Sequence, residues 1–300
     1  MKKLFILFAL ITGLNTEAQL KPNSEVTTNP TIHNIGFITL LAHYYEDGLK
    51  LNPLIATFQG NNSYNDTLPN FLSDDYNKEL KNYYTSYLKK AEKFDNAQLS
   101  ESEQMSKSIL KWECQVNLEG LAFEQYTPID QMWSMNLMMG QLAGGTSAQP
   151  FKTTEDYVNW SKRLEDYVVW LHSAKTKMQE GIKVKNVLPK SLIKKVLPQL
   201  ASVADVKLEE NLFYSPLKNF PAEFSGSDKL RLIEVYTNII NNKIIPAYKE
   251  LHDLWLPNIL MPVEKPVAYK VYPMAMHSTL TKLNCIRQLL CLPMKFMKLD

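Results

Sequence analysis

Apolar residues recur at three-and-four spacing through most of the chain between residues 32 and 255, a period that predicts helices rather than strands. Ile32, Ile35, Ile38, Leu41, Ala42, Tyr45 and Leu49 define the face of a first helix, which Asn52-Pro53 stops because the residue before proline is pushed out of the helical region. The Asn-, Gly- and Pro-rich stretch from Leu54 to Pro69 reads as a structured loop. A second helix is expected from about Asp74 to Phe94, with Ser73 as its N-cap and Asp74 and Asp75 in the positive first turn. Ser100-Glu101-Ser102-Glu103 is a capping box opening a third, which runs to about Phe123 with Met105, Ile109, Trp112, Val116 and Leu121 near one face. A short Met-rich helix from Met132 to Leu142 ends at Gly144-Gly145.

The strongest periodicity begins near Thr153-Thr154 and places Tyr157, Trp160, Leu164, Tyr167, Leu171, Ala174 and Met178 on one stripe. Beyond it, Ile182 to Val187 alternates briefly and fits one short strand or an extended link. A helix starting at Leu188-Pro189 is expected to end around Val196-Leu197, before Pro198, or to restart after it. Asn211 to Pro221 is a proline-punctuated loop. A last helix spans Ser227 to about Trp255, with Leu230, Ile233, Tyr236, Ile240, Ile244 and Tyr248 on a face and a kink at Pro246. No period of 20 to 50 residues repeats, which disfavours a solenoid. The fold class expected is all-α, an irregular bundle of long helices with structured loops.

Composition adds little to this picture. A formal charge of +2 over 300 residues, with the cations scattered and no basic stripe interleaved with stacking aromatics, predicts no nucleic-acid partner. The N-terminus adds more. Met1-Lys2-Lys3, an apolar run from Leu4 to Leu14 and the small residues around Thr16-Glu17-Ala18 read as a signal peptide, 1–18, cleaved near Ala18-Gln19. Export to the periplasm or beyond the cell follows, and no later segment is long and apolar enough for a transmembrane span. A polar lead, 19–30, precedes the helical region, 31–260.

Candidate chemistry is sparse. The five histidines His33, His43, His172, His252 and His277 include no pair one helical turn apart, so the two-imidazole arrangement of a zinc peptidase helix is missing. His43 and Glu46 share a helix face, but two ligands do not make a metal site. Cys114 fits a small buried hydrophobe better than a nucleophile. Met132, Met135, Met138 and Met139 fit an apolar helix face better than a soft-metal site. The lysines at 183, 185, 190, 194 and 195 read as a solvated face, as do Glu209 and Glu210. No catalytic, cofactor-binding or metal-ligating residue is assigned.

The segment from 261 to 300 has no sustained period. It reads as sense only when translated one base out of register. Methionine has a single codon, so Met274-Ala275 is then forced to Gly, Met276-His277 to Ala, and both Met294-Lys295 and Met297-Lys298 to Glu. The frame stays open, permitting the string LPNGNAFY from Val271 and TTTMPADEVYEIG from Arg287 to Asp300. The expectation is a single-base slip near Asn258 to Met261, an out-of-frame tail at 261–300, and a chain that is the N-terminal part of a larger domain.

Pro53-Leu54-Ile55-Ala56-Thr57 with Gly60 and Leu68-Pro69, then Asn211-Leu212-Phe213 with Pro216-Leu217 and Pro221, then Pro246-Ala247-Tyr248 and Leu256-Pro257, resemble in order and spacing the bacterial family catalogued as domain of unknown function 885. The shifted tail matches that family's continuation. The resemblance implies an exported, mostly helical, zincin-like metallopeptidase acting on peptide substrates, with zinc as cofactor and an H-E-x-x-x-x-H-H region downstream of the last residue here. No position matches that motif, so the catalytic part is expected to be missing and the printed chain to be inactive. The competing expectation is a stand-alone periplasmic helical binding or interaction module.

Overall fold

The computed structural model describes residues 33–260 except 146; the segments expected to be a signal peptide (1–18), a polar lead (19–30) and an out-of-frame tail (261–300) lie outside the described residues. Among those residues the architecture is all-α, with no strand. The helices are α1 (Ile35–Leu51), α2 (Pro53–Phe58), α3 (Asp74–Glu92), α4 (Glu101–Gly120), α5 (Met135–Ala143), α6 (Thr154–Lys183), α7 (Lys190–Ala204), α8 (Gly226–Ile239) and α9 (Ile245–Leu260).

α6 is the axis. Its N-terminus is fixed by a capping box in which the Thr153 hydroxyl accepts from the Asp156 amide at 3.2 Å and the Asp156 carboxylate accepts from the Thr153 amide at 2.8 Å. All seven residues of the predicted stripe, Tyr157 to Met178, are buried. Each such aromatic or aliphatic side chain contributes about 1.5–3 kcal/mol relative to exposure. Around it pack α2, α5, α7, α8 and α9, which share with it one continuous apolar core. A smaller cluster, Phe37, Leu40, Tyr87, Ala91, Leu110 and Cys114 with Leu99, joins α1, α3 and α4. In it Gly48 makes room for the Tyr83 hydroxyl, which would lie 2.9 Å from a Cβ there and which donates to the Tyr44 carbonyl at 2.6 Å.

Several expectations are corrected by tertiary packing. α1 buries Phe37, Leu40 and Leu49, while Ile35, Ile38 and Tyr45 of the predicted face are exposed. α4 buries Glu103, Leu110 and Cys114 and exposes Ile109, and it ends at Gly120. Both helices carry apolar residues around most of their circumference, so period alone left the rotation open. The loop from Leu54 contains α2, whose first residue is Pro53, where a missing amide costs nothing. Met132 precedes α5 and is exposed. The link at 182–187 is no strand: α6 runs to Lys183 and turns at Lys185 with φ 59°. Gly181 permits that turn, since a Cβ there would sit 2.6 Å from the Asn186 carbonyl oxygen.

The prolines also behave differently from expectation. α7 runs through Pro198, whose ring faces solvent, because Ile193, Val196, Leu200 and Val203 on either side are buried, chiefly against α9. That burial offsets the roughly 3 kcal/mol a helix-interior proline costs. The last helix is divided by a π-helical turn, Ile240–Ile244, immediately before Pro246. Pro246 has no amide to offer the Asn242 carbonyl, and the widened turn accommodates that loss. Leu230, placed on the buried face from sequence, is exposed.

Glu103 ties α1 to α4. Its carboxylate accepts from the Ser100 amide (2.9 Å), the Asn34 amide (2.9 Å) and the Ser100 hydroxyl (3.0 Å). These bonds, that from Ser100 foremost, hold it below the usual glutamate range. A depressed folded-state value means the stabilisation is present above the ordinary glutamate range and disappears as pH falls through the lowered one. Amides at the start of α1 are therefore expected to lose hydrogen-exchange protection on acidification through that window, and Glu103→Gln should weaken their protection at neutral pH and flatten the acid dependence.

Candidate functional site

The most constrained constellation among the described residues is one that periodicity did not single out. Arg163 sits on α6 between Trp160 and Leu164 and is completely buried. Its Nε donates to the Thr67 carbonyl at 3.1 Å, Nη1 to the Thr57 hydroxyl at 3.0 Å and the Gln149 amide oxygen at 2.9 Å, and Nη2 to the Tyr64 carbonyl at 2.6 Å. All four acceptors are neutral. Burial pulls the guanidinium down to about 10, opposed by the more distant Asp66 and Asp166, so it remains a cation at neutral pH.

The same edge of α6 holds the rest of the loop. Asp166, raised by burial, accepts from the Leu68 amide at 2.9 Å, and the Ser173 hydroxyl accepts from the Asn70 amide nitrogen at 2.8 Å. Thr57 also has the Pro53 carbonyl at 3.0 Å and the Asn65 amide oxygen at 2.6 Å within reach of its hydroxyl. The segment Pro53 to Asn70 is thus a polar cap latched onto one helix. The signal for Arg163 was a lone arginine, one of three in the sequence, inside an otherwise apolar stripe.

A second latch lies further along the chain. Asn211, wholly buried, accepts from the Phe213 amide and donates to the Val203 carbonyl, both at 3.0 Å. The Tyr157 hydroxyl donates to the Pro216 carbonyl at 3.0 Å, and the Tyr236 hydroxyl to the Tyr157 carbonyl at 2.8 Å. The Tyr167 and Tyr248 hydroxyls meet at 2.7 Å in the core. Thr57, Leu68, Asn211, Phe213, Pro216 and Tyr248 of the motif positions quoted above therefore all pack around α6 and its neighbours, as scaffold rather than as reacting groups.

The sequence-weighed candidates are dispersed. His43 and Glu46 are both exposed on α1. His33 lies 3.5 Å from Glu103, His172 3.9 Å from Glu250, and His252 3.3 Å from Asp253. Among the described residues no three His, Cys, Asp or Glu side chains come together as metal ligands. Cys114 is buried in the smaller cluster, and burial together with Glu113 pushes its thiol up to about 11, the state of an inert apolar side chain. Met139 is buried and Met135 and Met138 pack against the main core, whereas Met132 does not. Glu209 and Glu210 are exposed.

Two concavities lie among the described residues. A cavity of about 20 Å³ lined by Met178, Ile182, Leu188, Ile193 and Trp255 has room for little more than a water. A shallow groove of about 580 Å³ follows the outer side of α8 and the π turn past Glu234, Thr237, Asn238, Asn241 and Asn242. Carboxamides present both donors and acceptors, so this surface can pair with a neighbouring backbone.

The family described as bacterial protein of unknown function, DUF885, matches residues 53–283. Its last matched stretch, 261–283, lies inside the segment that the codon argument assigns to the wrong frame, so the two observations pull in different directions there. No curated protein matches the chain. Among solved structures, the "putative lipoprotein" from Colwellia psychrerythraea is similar with a TM-score of 0.60 at 12% identity, covering 75% of this chain and 42% of that one. The likeness is one of fold, and the chain spans less than half the length of that relative.

Arg163→Met, which fits the space but donates nothing, leaves four oxygens without their donor and is expected to cost about 3 kcal/mol or more in chemical denaturation. Arg163→Lys should recover little of this, since an ammonium cannot reproduce the planar fork.

Proposed function

Because the chain belongs to the bacterial DUF885 family, whose model covers residues 53–283, we propose that it is the helical wall of an exported, zincin-like metallopeptidase whose zinc ligands and catalytic glutamate come from chain beyond residue 260. What carries this is surface left open. Ile35, Ile38, Ala42 and Tyr45 form a helical apolar face of α1, and all four are exposed. Leu230 on α8 is 71% exposed. Helical faces patterned for burial but facing solvent are where further structure packs. The solved relative, of which this chain covers 42%, supplies a fold with additional chain to do so.

In this reading α6 with its latched loops is a rigid support, and peptide hydrolysis belongs to the remainder. Zinc there would polarise a peptide carbonyl and activate water. Export rests on the N-terminal pattern of charge, apolar run and small residues. No helix among the described residues is long and apolar enough to cross a membrane.

One observation favours a second reading, a stand-alone periplasmic binding module. The main core is well closed: Trp160, Leu164, Tyr167, Phe213 and Tyr236 have no exposed surface. A chain so packed can fold without a missing half.

Resequencing the gene and expressing two products separates them. The 300-residue chain is expected to hold no stoichiometric zinc and to cleave no peptide, while the product continued in the shifted frame should bind one zinc and hydrolyse peptides. A verified stop codon after Asp300, or a monomeric printed chain that melts cooperatively, would favour the module. Peptidase activity with bound zinc in the printed chain would overturn the placement of the chemistry.

A further inference from the structure

From Gly181 to Ala204 the chain carries Lys183, Lys185, Lys190, Lys194 and Lys195 and no acidic residue. The α7 face opposite Ile193, Val196 and Leu200 points outward, with Lys194 and Lys195 exposed on it. Just before this helix, Val184 and Val187 are each 44% exposed and alternate with Lys183 and Lys185. Cations and short apolar side chains therefore rise from the surface together.

A second apolar element lies alongside. Gln199, one turn after Lys195, donates from Nε2 to the Gln131 carbonyl at 3.2 Å, which seats the turn before α5 against α7. In that turn Trp133 is 86% exposed and Met132 65% exposed. They are held outward by structure: the Asp130 carboxylate accepts from the amides of both, at 2.6 Å each. Of the acids around it, Asp130 is engaged in this turn and Glu124 and Glu180 with Lys177 at 2.9 and 3.3 Å, while Asp205 at the end of α7 and Glu209 and Glu210 beyond it are exposed.

We infer that this surface is a peripheral membrane-adsorption face, which rests Trp133 and Met132 at the interface of an anionic lipid bilayer with the α7 lysines over its headgroups. The chemistry selects this partner. A polyphosphate chain attracts the cations but gives the exposed Trp, Met and Val side chains nothing to enter. A bilayer surface takes both, with indole at the headgroup level and ammonium groups in the negative surface potential. The inference is independent of the peptidase reading, since no metal or catalytic group takes part.

The test is flotation of the full chain with vesicles of phosphatidylcholine alone and of phosphatidylcholine with phosphatidylglycerol in equal parts, at low and high salt. Binding is expected to the anionic vesicles only and to weaken as salt screens the lysines. Lys194→Glu combined with Lys195→Glu should lower affinity by about 25-fold or more. Trp133→Phe should remove most quenching of tryptophan emission by lipids brominated near the headgroup. All variants share residues 1–32, so differences among them report this face and not the apolar N-terminus. The changes are on exposed side chains, and the quenching of the unaltered protein requires no variant to fold. Equal binding to neutral vesicles, indifference to charge reversal, or unquenched Trp133 would each overturn the inference. So would heparin binding as tight as the vesicles and unaffected by Trp133→Ala, which would mark a general polyanion patch.

Discussion

A buried guanidinium with no carboxylate beside it is the constraint on which this fold turns. Arg163 is expensive to bury, and what makes it tolerable is a shell of four neutral oxygens drawn from three separate segments. Those oxygens become available only when the chain from Thr57 to Thr67 is folded back over α6 and Gln149 is brought alongside. The cation therefore specifies the path of a loop that has little apolar content of its own. Asp166 and Ser173, further along the same helix edge, extend the specification to Leu68 and Asn70.

The rest of the bundle accommodates itself to α6. Tyr157 and Tyr236 connect it to the Pro216 turn and to α8, and the Tyr167–Tyr248 pair connects it to α9. These tyrosine hydroxyls each find a partner and so fix orientation within the apolar core, where the Trp160 indole N–H is left without one. The two prolines in helices illustrate the same hierarchy. Pro198 remains in a continuous helix because packing on the opposite side outweighs the lost hydrogen bond, and the π turn before Pro246 keeps Ile240 and Ile244 on the buried side while the ladder skips a partner.

Among the described residues no three acids, histidines or cysteines gather as metal ligands, and Cys114, buried in the smaller cluster, is held as an apolar thiol. What faces outward instead is surface: an apolar stripe on α1, a carboxamide-lined groove on α8, and a basic face on α7 edged by Trp133.

The sequence by itself determined where most helices begin, because capping is local: Ser73, the Ser100–Glu103 box and Thr153 act within one turn of their own backbone. It also determined the α6 stripe, where a single dense run of large residues leaves one face to bury. Tertiary structure alone decided the rotation of α1 and α4, because helices with apolar residues on several sides become oriented only by their neighbours. It alone revealed the role of Arg163, because a cation inside an apolar stripe acquires meaning only from its acceptors, three of which lie about 100 residues away in the chain. Local order is written in adjacent residues, whereas the choice among apolar faces and the satisfaction of a buried charge depend on groups that meet only after the chain has folded.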